Sequence, residues 1–434
     1  MTDRLPRFLG PAAATLFTAG WTIGSAVFRV PSEIAHATGS VGASMALWVL
    51  GGIVALCGAF SYSELSVRLP RAGSEYAYGM AAYGPFVGFL IAWATLLTGP
   101  ASVAAVARAF ADYASVLVPM DESARRLAAA AAIGVLASVA ILSSRAGTLV
   151  AAMAGVAKLL AILGVIVVGL AFTGHPAAAA TESMTSGGWM HYGPAFVAIV
   201  WAYDGFQSVA LMAGEAKDPR RTLPIGLVAG LGLVTLAYLL LNVTYLKVLG
   251  IAGVAATPTV AATTLAAVIG PSGERLIAML VMMCTLGTVA AQCTGYPRYF
   301  FAPAEDGLFP AWMAKLSKRA ATPANAISVL AAVAVALVLS GGYAFLIRLA
   351  VLTSYPLFCV ALLGAIRLRR RDGPPAGFSM PFYPLPLIVF CGGIIITCIA
   401  SFLDAPVGMA YAVAVWAAGA LVYRLAVVRG TSPP

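Results

Sequence analysis

Apolar stretches long enough to cross a lipid bilayer recur along almost the whole of this 434-residue chain, and that leaves few folds open to it. Crossing a hydrocarbon core of ~30 Å takes about 20 residues of helix. Twelve runs qualify, over 9–30, 42–63, 84–118, 125–143, 148–173, 192–213, 225–249, 275–302, 323–341, 343–366, 383–402 and 407–426. In hydrocarbon every backbone polar group must be satisfied internally, and runs of this length do so as helices. The expectation is an all-α integral membrane protein of twelve transmembrane helices, a single polytopic domain over 1–434. Composition agrees: 61% of residues are hydrophobic and 10% charged, against about 45–50% and 25% in soluble domains. The third and eighth runs are overlong, which predicts tilt or a protruding turn. Residues 1–30 have the basic-then-apolar look of a secretory signal, but more membrane follows, so they read as a first span.

A net charge of +10 in a soluble chain would suggest nucleic acid; here its placement explains it. With the N-terminus inside, eighteen Lys and Arg fall in inner segments and four (Arg125, Arg126, Lys247, Arg275) in outer ones. This bias puts both termini in the cytoplasm, as for a multi-pass protein of the cell membrane, with the bilayer rather than nucleic acid as its surroundings. The basic run at 367–371 reads as a topology anchor. Arg29, Arg108, Lys158 and Arg348 lie within spans, where the arginines are expected to snorkel or pair with outer carboxylates or Asp204.

Two spans are interrupted. The first carries Gly24-Ser-Ala within TIGSAVFRVP, and the sixth carries Asp204 and Gly205 within WAYDGFQ. These are corresponding members of two five-span sets, 9–173 and 192–368, followed by two further helices over 383–426. Since five is odd, the sets must run through the membrane in opposite senses, and paired broken helices in inverted halves point to a midplane binding site. Unwound backbone at that depth is tolerated where it lines a cavity. Freed amides attract an anionic group and freed carbonyls a cation, so a zwitterion suits such a pair of breaks. Helix packing through small residues is the alternative for the first break alone; a mid-membrane Asp204 favours a site. Lys158, ten residues into the fifth span and about 15 Å deep, reads as a fixed cation or proton carrier, with a purely structural pairing to a carbonyl as the alternative.

All six cysteines fall inside spans, without zinc-ligand spacing or an outer-loop position for disulfide pairing. No HExxH, nucleophile elbow or paired carboxylate constellation appears. No metal or cofactor is expected, and an intramembrane enzyme is the remote competitor to a carrier.

At this point a resemblance carries further. GSAVFRVP (24–31), ELSVRLPRAGSEYAY (64–78), WAYDGFQSVALMAGEAKDPRRTLP (201–224), PRYFFAPAEDGLFP (297–310) and TPANA (322–326) together resemble the amino acid–polyamine–organocation superfamily, specifically its bacterial L-type amino acid transporter-like permeases. The resemblance implies a leucine-transporter-type 5+5 inverted repeat plus two helices, working by alternating access. It implies a substrate carboxylate at Gly24, Ser25 and Ala26, and an amino group at the carbonyls of Ile23, Trp201 and Asp204. It makes Trp201 a gate and puts Lys158 where sodium-coupled relatives bind an ion, hence sodium independence with proton coupling or amino acid exchange. Tyr203 and Gly205 complete the expected substrate-binding set, and Trp201, Tyr203 and Phe206 as aromatic liners favour a neutral amino acid. A cationic amino acid or amine, neutralised by Asp204, is the runner-up. Two positions depart from the family pattern: Ala26 stands where relatives have glycine, and Arg29 where they have an apolar residue. Human relatives pair with a single-span glycoprotein through an outer-loop disulfide; without a cysteine there, no obligatory disulfide-linked partner is expected.

Overall fold

A computed structural model describes residues 9–24, 26–71, 73–142, 144–172, 192–211, 213–317, 322–341, 343–404 and 406–428. Every one of the twelve apolar runs lies on helix. Among the described residues, eight helices are long and apolar enough to cross a bilayer by length and composition alone. The chain is a multi-pass helical membrane protein.

The first run is two helices. Proline lacks an N–H that a first helical position would leave unpaired anyway, and Pro11 opens α1 (Pro11–Thr22); α2 (Ala26–Thr38) resumes after the break. Ser40 caps α3 (Val41–Arg68) by accepting from the Ala43 N–H. A short α4 (Glu75–Tyr83) leads into α5 (Pro85–Leu117), whose 33 residues extend about 50 Å, so the overlong third run is one helix longer than the bilayer is thick. α6 (Glu122–Leu142) and α7 (Ser144–Ala171) follow.

The sixth run is also two helices, α8 (Tyr192–Ala202) and the single turn α9 (Ser208–Leu211). Asp218 caps α10 (Pro219–Ala255), accepting from the Arg220 N–H at 3.1 Å. After α11 (Val260–Ile269), the eighth run divides at Tyr296 and Pro297 into α12 (Pro271–Gly295) and α13 (Arg298–Glu305). α14 (Ala324–Ser340), α15 (Tyr343–Asp372), α16 (Leu385–Asp404) and α17 (Pro406–Val422) complete the chain.

α1 packs on α10 and α10 on α3, while α12 packs on α7 and α5, and α15 on α5. α2 lies against α8 and α1 against α9. Each half of one broken helix thus meets the opposite half of the other, which is how two antiparallel interrupted helices cross. Leu127, Leu142, Ile388 and Leu421 stand exposed on the outside, as side chains facing lipid do, since lipid tails are as apolar as leucine. All six cysteines are free, and all but the half-buried Cys57 are buried.

Candidate functional site

The first break follows from how α1 runs out. Its last regular bond joins the Ile23 N–H to the Ala19 carbonyl at 2.9 Å; the Gly24 N–H then turns back to the Thr22 carbonyl at 2.8 Å. The Gly20 carbonyl, which Gly24 would have served in a continuous helix, is thereby released. Lys158 takes it: Nζ donates to the Gly20 carbonyl at 2.8 Å and to Thr288 Oγ1 at 2.6 Å. Tyr238 donates to the Thr22 carbonyl at 3.0 Å. The lysine is 2% exposed and ties α7 to the end of α1 and to α12. Beyond the break, α2 starts at Ala26, and its first-turn amides have no intrahelical acceptors. Ile23 is fully buried at the end of α1; Ser25 lies outside the described residues.

The second break spans residues 203–207. Gly205 sits at φ 99°, and a Cβ there would stand 2.8 Å from Trp21 Cδ1, so glycine is required twice over, by backbone conformation and by space. Gln207 folds back over the turn. Its Nε2 donates to Asp204 Oδ1 at 2.8 Å and its Oε1 accepts the Gly205 N–H at 3.1 Å, fixing a half-buried carboxylate at the break.

Two small cavities meet here. One, of about 30 Å³, is bounded by Gly24, Ala26, Trp201, Asp204, Gly205 and Gln292 among others. The second, of about 20 Å³, shares Ser102, Trp201, Asp204 and Tyr296 with it and extends toward Thr98 and Tyr355. Gly24, Ala26, Trp201, Asp204 and Gly205, expected together from sequence, are therefore assembled at one place, with the indole of Trp201 bordering both cavities. The space at Gly24 is open: a Cβ added there would meet nothing closer than the Thr22 carbonyl oxygen, at 3.9 Å.

Tyr203 and Phe206 are not brought there. The Tyr203 hydroxyl donates to the Trp48 carbonyl at 3.0 Å and its ring lies 5.3 Å from that of Tyr238; Phe206 packs edge-on against Tyr62 at 5.6 Å. The break is a turn rather than a helix, so helical spacing misassigns their faces. In place of those two rings, uncharged polar side chains border the cavities beside Trp201. Gln292 Nε2 donates to Ser102 Oγ at 3.0 Å, Tyr296 donates to the same oxygen at 3.2 Å, and Thr98 pairs with Ser354. These residues escaped the sequence reading, yet Thr288, Gln292 and Tyr296 recur every four residues, the spacing that puts polar groups on one helix face.

Polar contacts link the elements around the site. Arg29 on α2 pairs with Asp112 on α5 at 2.7 Å, and Arg108 with Glu122 at 2.9 Å, so these arginines find carboxylates other than Asp204. The Arg348 side chain lies outside the described residues. Glu75 at the start of α4 is fully buried and accepts from the hydroxyls of Tyr62 (2.6 Å) and Tyr299 (2.8 Å). Burial pushes the Glu75 carboxyl upward, against the pull of the tyrosine hydrogen bonds. Glu64 on α3 pairs with Arg369 on α15, and Asp306 holds Arg71 and Tyr76, each at 2.5 Å. A larger cavity, about 350 Å³ between α3, α8, α15 and α16, is walled mainly by apolar side chains, among them the exposed Leu50, Ile388 and Ile396, and at its inner end reaches Tyr203, Asp204, Phe206 and Gln207 of the second break.

A polytopic helical protein with two antiparallel broken helices around a small chamber bordered by Asp204, Ser102 and Gln292 is built as a membrane carrier. The chain belongs to the amino acid permease family, whose model matches residues 9–423. It is 29% identical to the serine/threonine exchanger SteT of Bacillus subtilis, over 89% of this chain and 90% of that one. It is 28% identical to the human b(0,+)-type amino acid transporter 1, over 85% of this chain and 77% of that protein. With the mouse Asc-type amino acid transporter 1 the identity is 30%, over 85% and 71%.

Proposed function

We propose that the protein is a secondary carrier of the cytoplasmic membrane that moves neutral amino acids by alternating access, without sodium, through exchange or proton coupling. The observation that carries this is the assembly of Gly24, Ala26, Trp201, Asp204 and Gly205 around one cavity. The substrate carboxylate faces the first-turn amides of α2, where the helix dipole favours an anion. The amino group faces carbonyls released at the breaks and the Asp204 carboxylate. Trp201 gates the chamber. The antiparallel crossing of the broken helices supports two inverted repeats, 9–173 and 192–368, with 383–426 added, twelve spans in all and both termini cytoplasmic. The likeness to the serine/threonine exchanger of Bacillus subtilis favours small neutral substrates and exchange. The uncharged wall formed by Ser102, Gln292 and Tyr296 points the same way and against a cationic amino acid or amine. Since the sequence places no cysteine in an outer loop, the proposed carrier has no disulfide-linked partner.

Lys158 serves as the coupling residue. Its ammonium holds the carbonyl that the first break releases, supplying in covalent form the positive charge a bound cation would bring. Proteoliposomes loaded with unlabelled amino acid should take up labelled L-serine equally well in sodium and potassium media, and Lys158→Ala should abolish the pH dependence of that uptake. A severalfold stimulation by sodium would overturn sodium independence, and an unchanged pH profile in the variant would remove the proton-carrier role.

A further inference from the structure

Resting on the reading of the two breaks as the amino acid site, we infer that Gln292 is its specificity-determining residue, selecting substrates whose side chain carries a small hydroxyl. Gln292 is 4% exposed and sits in the wall of the chamber that Gly24 and Ala26 border. One end of its amide is engaged, Nε2 donating to Ser102 Oγ at 3.0 Å. The other end, Oε1, is buried and has no hydrogen-bond partner among the described residues. Buried amide oxygens are rarely left so, and this one borders the space a substrate must enter.

The neighbouring polar groups are already spoken for. Ser102 Oγ accepts from Tyr296 as well as Gln292. Thr288 Oγ1 accepts from Lys158 and donates to the Cys284 carbonyl at 3.0 Å. Thr95 donates to the Ala92 carbonyl at 2.7 Å. Among the side chains that border this first cavity, Gln292 Oε1 is the one buried polar atom without a hydrogen-bond partner among the described residues. A hydroxyl both donates and accepts, so it satisfies that end of the amide whichever way the amide is turned. An alkyl group of the same shape leaves the position empty and buried under substrate, and sites built to bond a hydroxyl discriminate strongly against analogues that lack it. Size works in the same direction: the cavity, which Ala26 also borders, is about 30 Å³, so the favoured group is short.

The test uses isosteric pairs on the purified full-length protein: dissociation constants for L-serine against L-2-aminobutyrate, L-threonine against L-valine, and L-alanine as a reference that lacks the γ group. The wild-type protein should favour the hydroxyl member of each pair by about ten- to a hundredfold, and Gln292→Met should bring both ratios close to one. Gln292→Asn, which keeps the amide but withdraws it by one methylene, should give intermediate ratios and guards against a Met variant that does not fold. Wild-type ratios near one, ratios unchanged in the folded variants, or tighter binding of L-lysine or L-ornithine than of L-serine would each overturn the assignment. Failure of L-alanine and every other amino acid to bind folded wild-type protein would instead refute the underlying reading of the site.

Discussion

Gly205 is the residue whose role is most tightly fixed. Its φ of 99° lies where a side chain is strained, at about 1–3 kcal/mol for a non-glycine residue, and a Cβ would also press on Trp21. Gly205→Ala should therefore lower thermal stability in detergent, and a melting temperature equal to wild type would contradict this account of the second break. Residues of this kind were legible in the sequence because glycine and aspartate have no ordinary place inside an apolar helix. Ser102, Gln292 and Tyr296 were not, since a hydroxyl or amide within a span can satisfy itself on its own helix, as Thr98 does on the Ala94 carbonyl at 3.0 Å. Nothing in composition distinguishes a self-satisfied threonine from one that lines a chamber. Tyr203 and Phe206 were misplaced for the opposite reason: they were readable as aromatic, but a non-helical turn has no periodicity from which to assign their direction.

At the scale of elements, the apolar runs announced the long helices, while the short ones had to be seen. α4 lies between the second and third apolar runs, and its nine residues are too few to cross a membrane and too mixed to stand out. Yet it brings Glu75 between α3 and α13, where the carboxyl joins Tyr62 to Tyr299. Burial raises the Glu75 carboxyl above its ordinary value of 4.5, so the folded protein binds that proton more tightly than the unfolded chain does. Its contribution to stability must then fall as pH rises above that value. Between about pH 5 and pH 8, wild-type protein should lose melting temperature relative to Glu75→Gln, which cannot ionise; parallel profiles would remove Glu75 as the titrating group. Glu75→Ala should be the more damaging change at every pH, because it leaves the Tyr62 and Tyr299 hydroxyls buried without an acceptor, at about 1–3 kcal/mol each. The overlong eighth run illustrates the same limit of one-dimensional reading. Hydropathy sees one stretch where Tyr296 and Pro297 separate two helices, and the tyrosine at that junction belongs to the chamber wall.

For the molecule as a whole, the constraint that opened the problem also organises its solution. A chain that must satisfy its backbone inside hydrocarbon can afford irregular structure only where something else meets the freed groups. Here Lys158, Tyr238 and Gln207 meet some of them, and the two breaks border a common chamber. The central claim is that this chamber holds an amino acid. The most direct test compares exchange of labelled L-serine in proteoliposomes by wild-type protein and by Gly24→Ala, whose added methyl projects into open space rather than into a neighbour. The account predicts amino acid-dependent uptake by wild type, reduced at least about tenfold in the variant, equivalent to ~1.4 kcal/mol, at unchanged melting temperature. Equal uptake by the two proteins, or no exchange of any amino acid by the folded wild type, would contradict it.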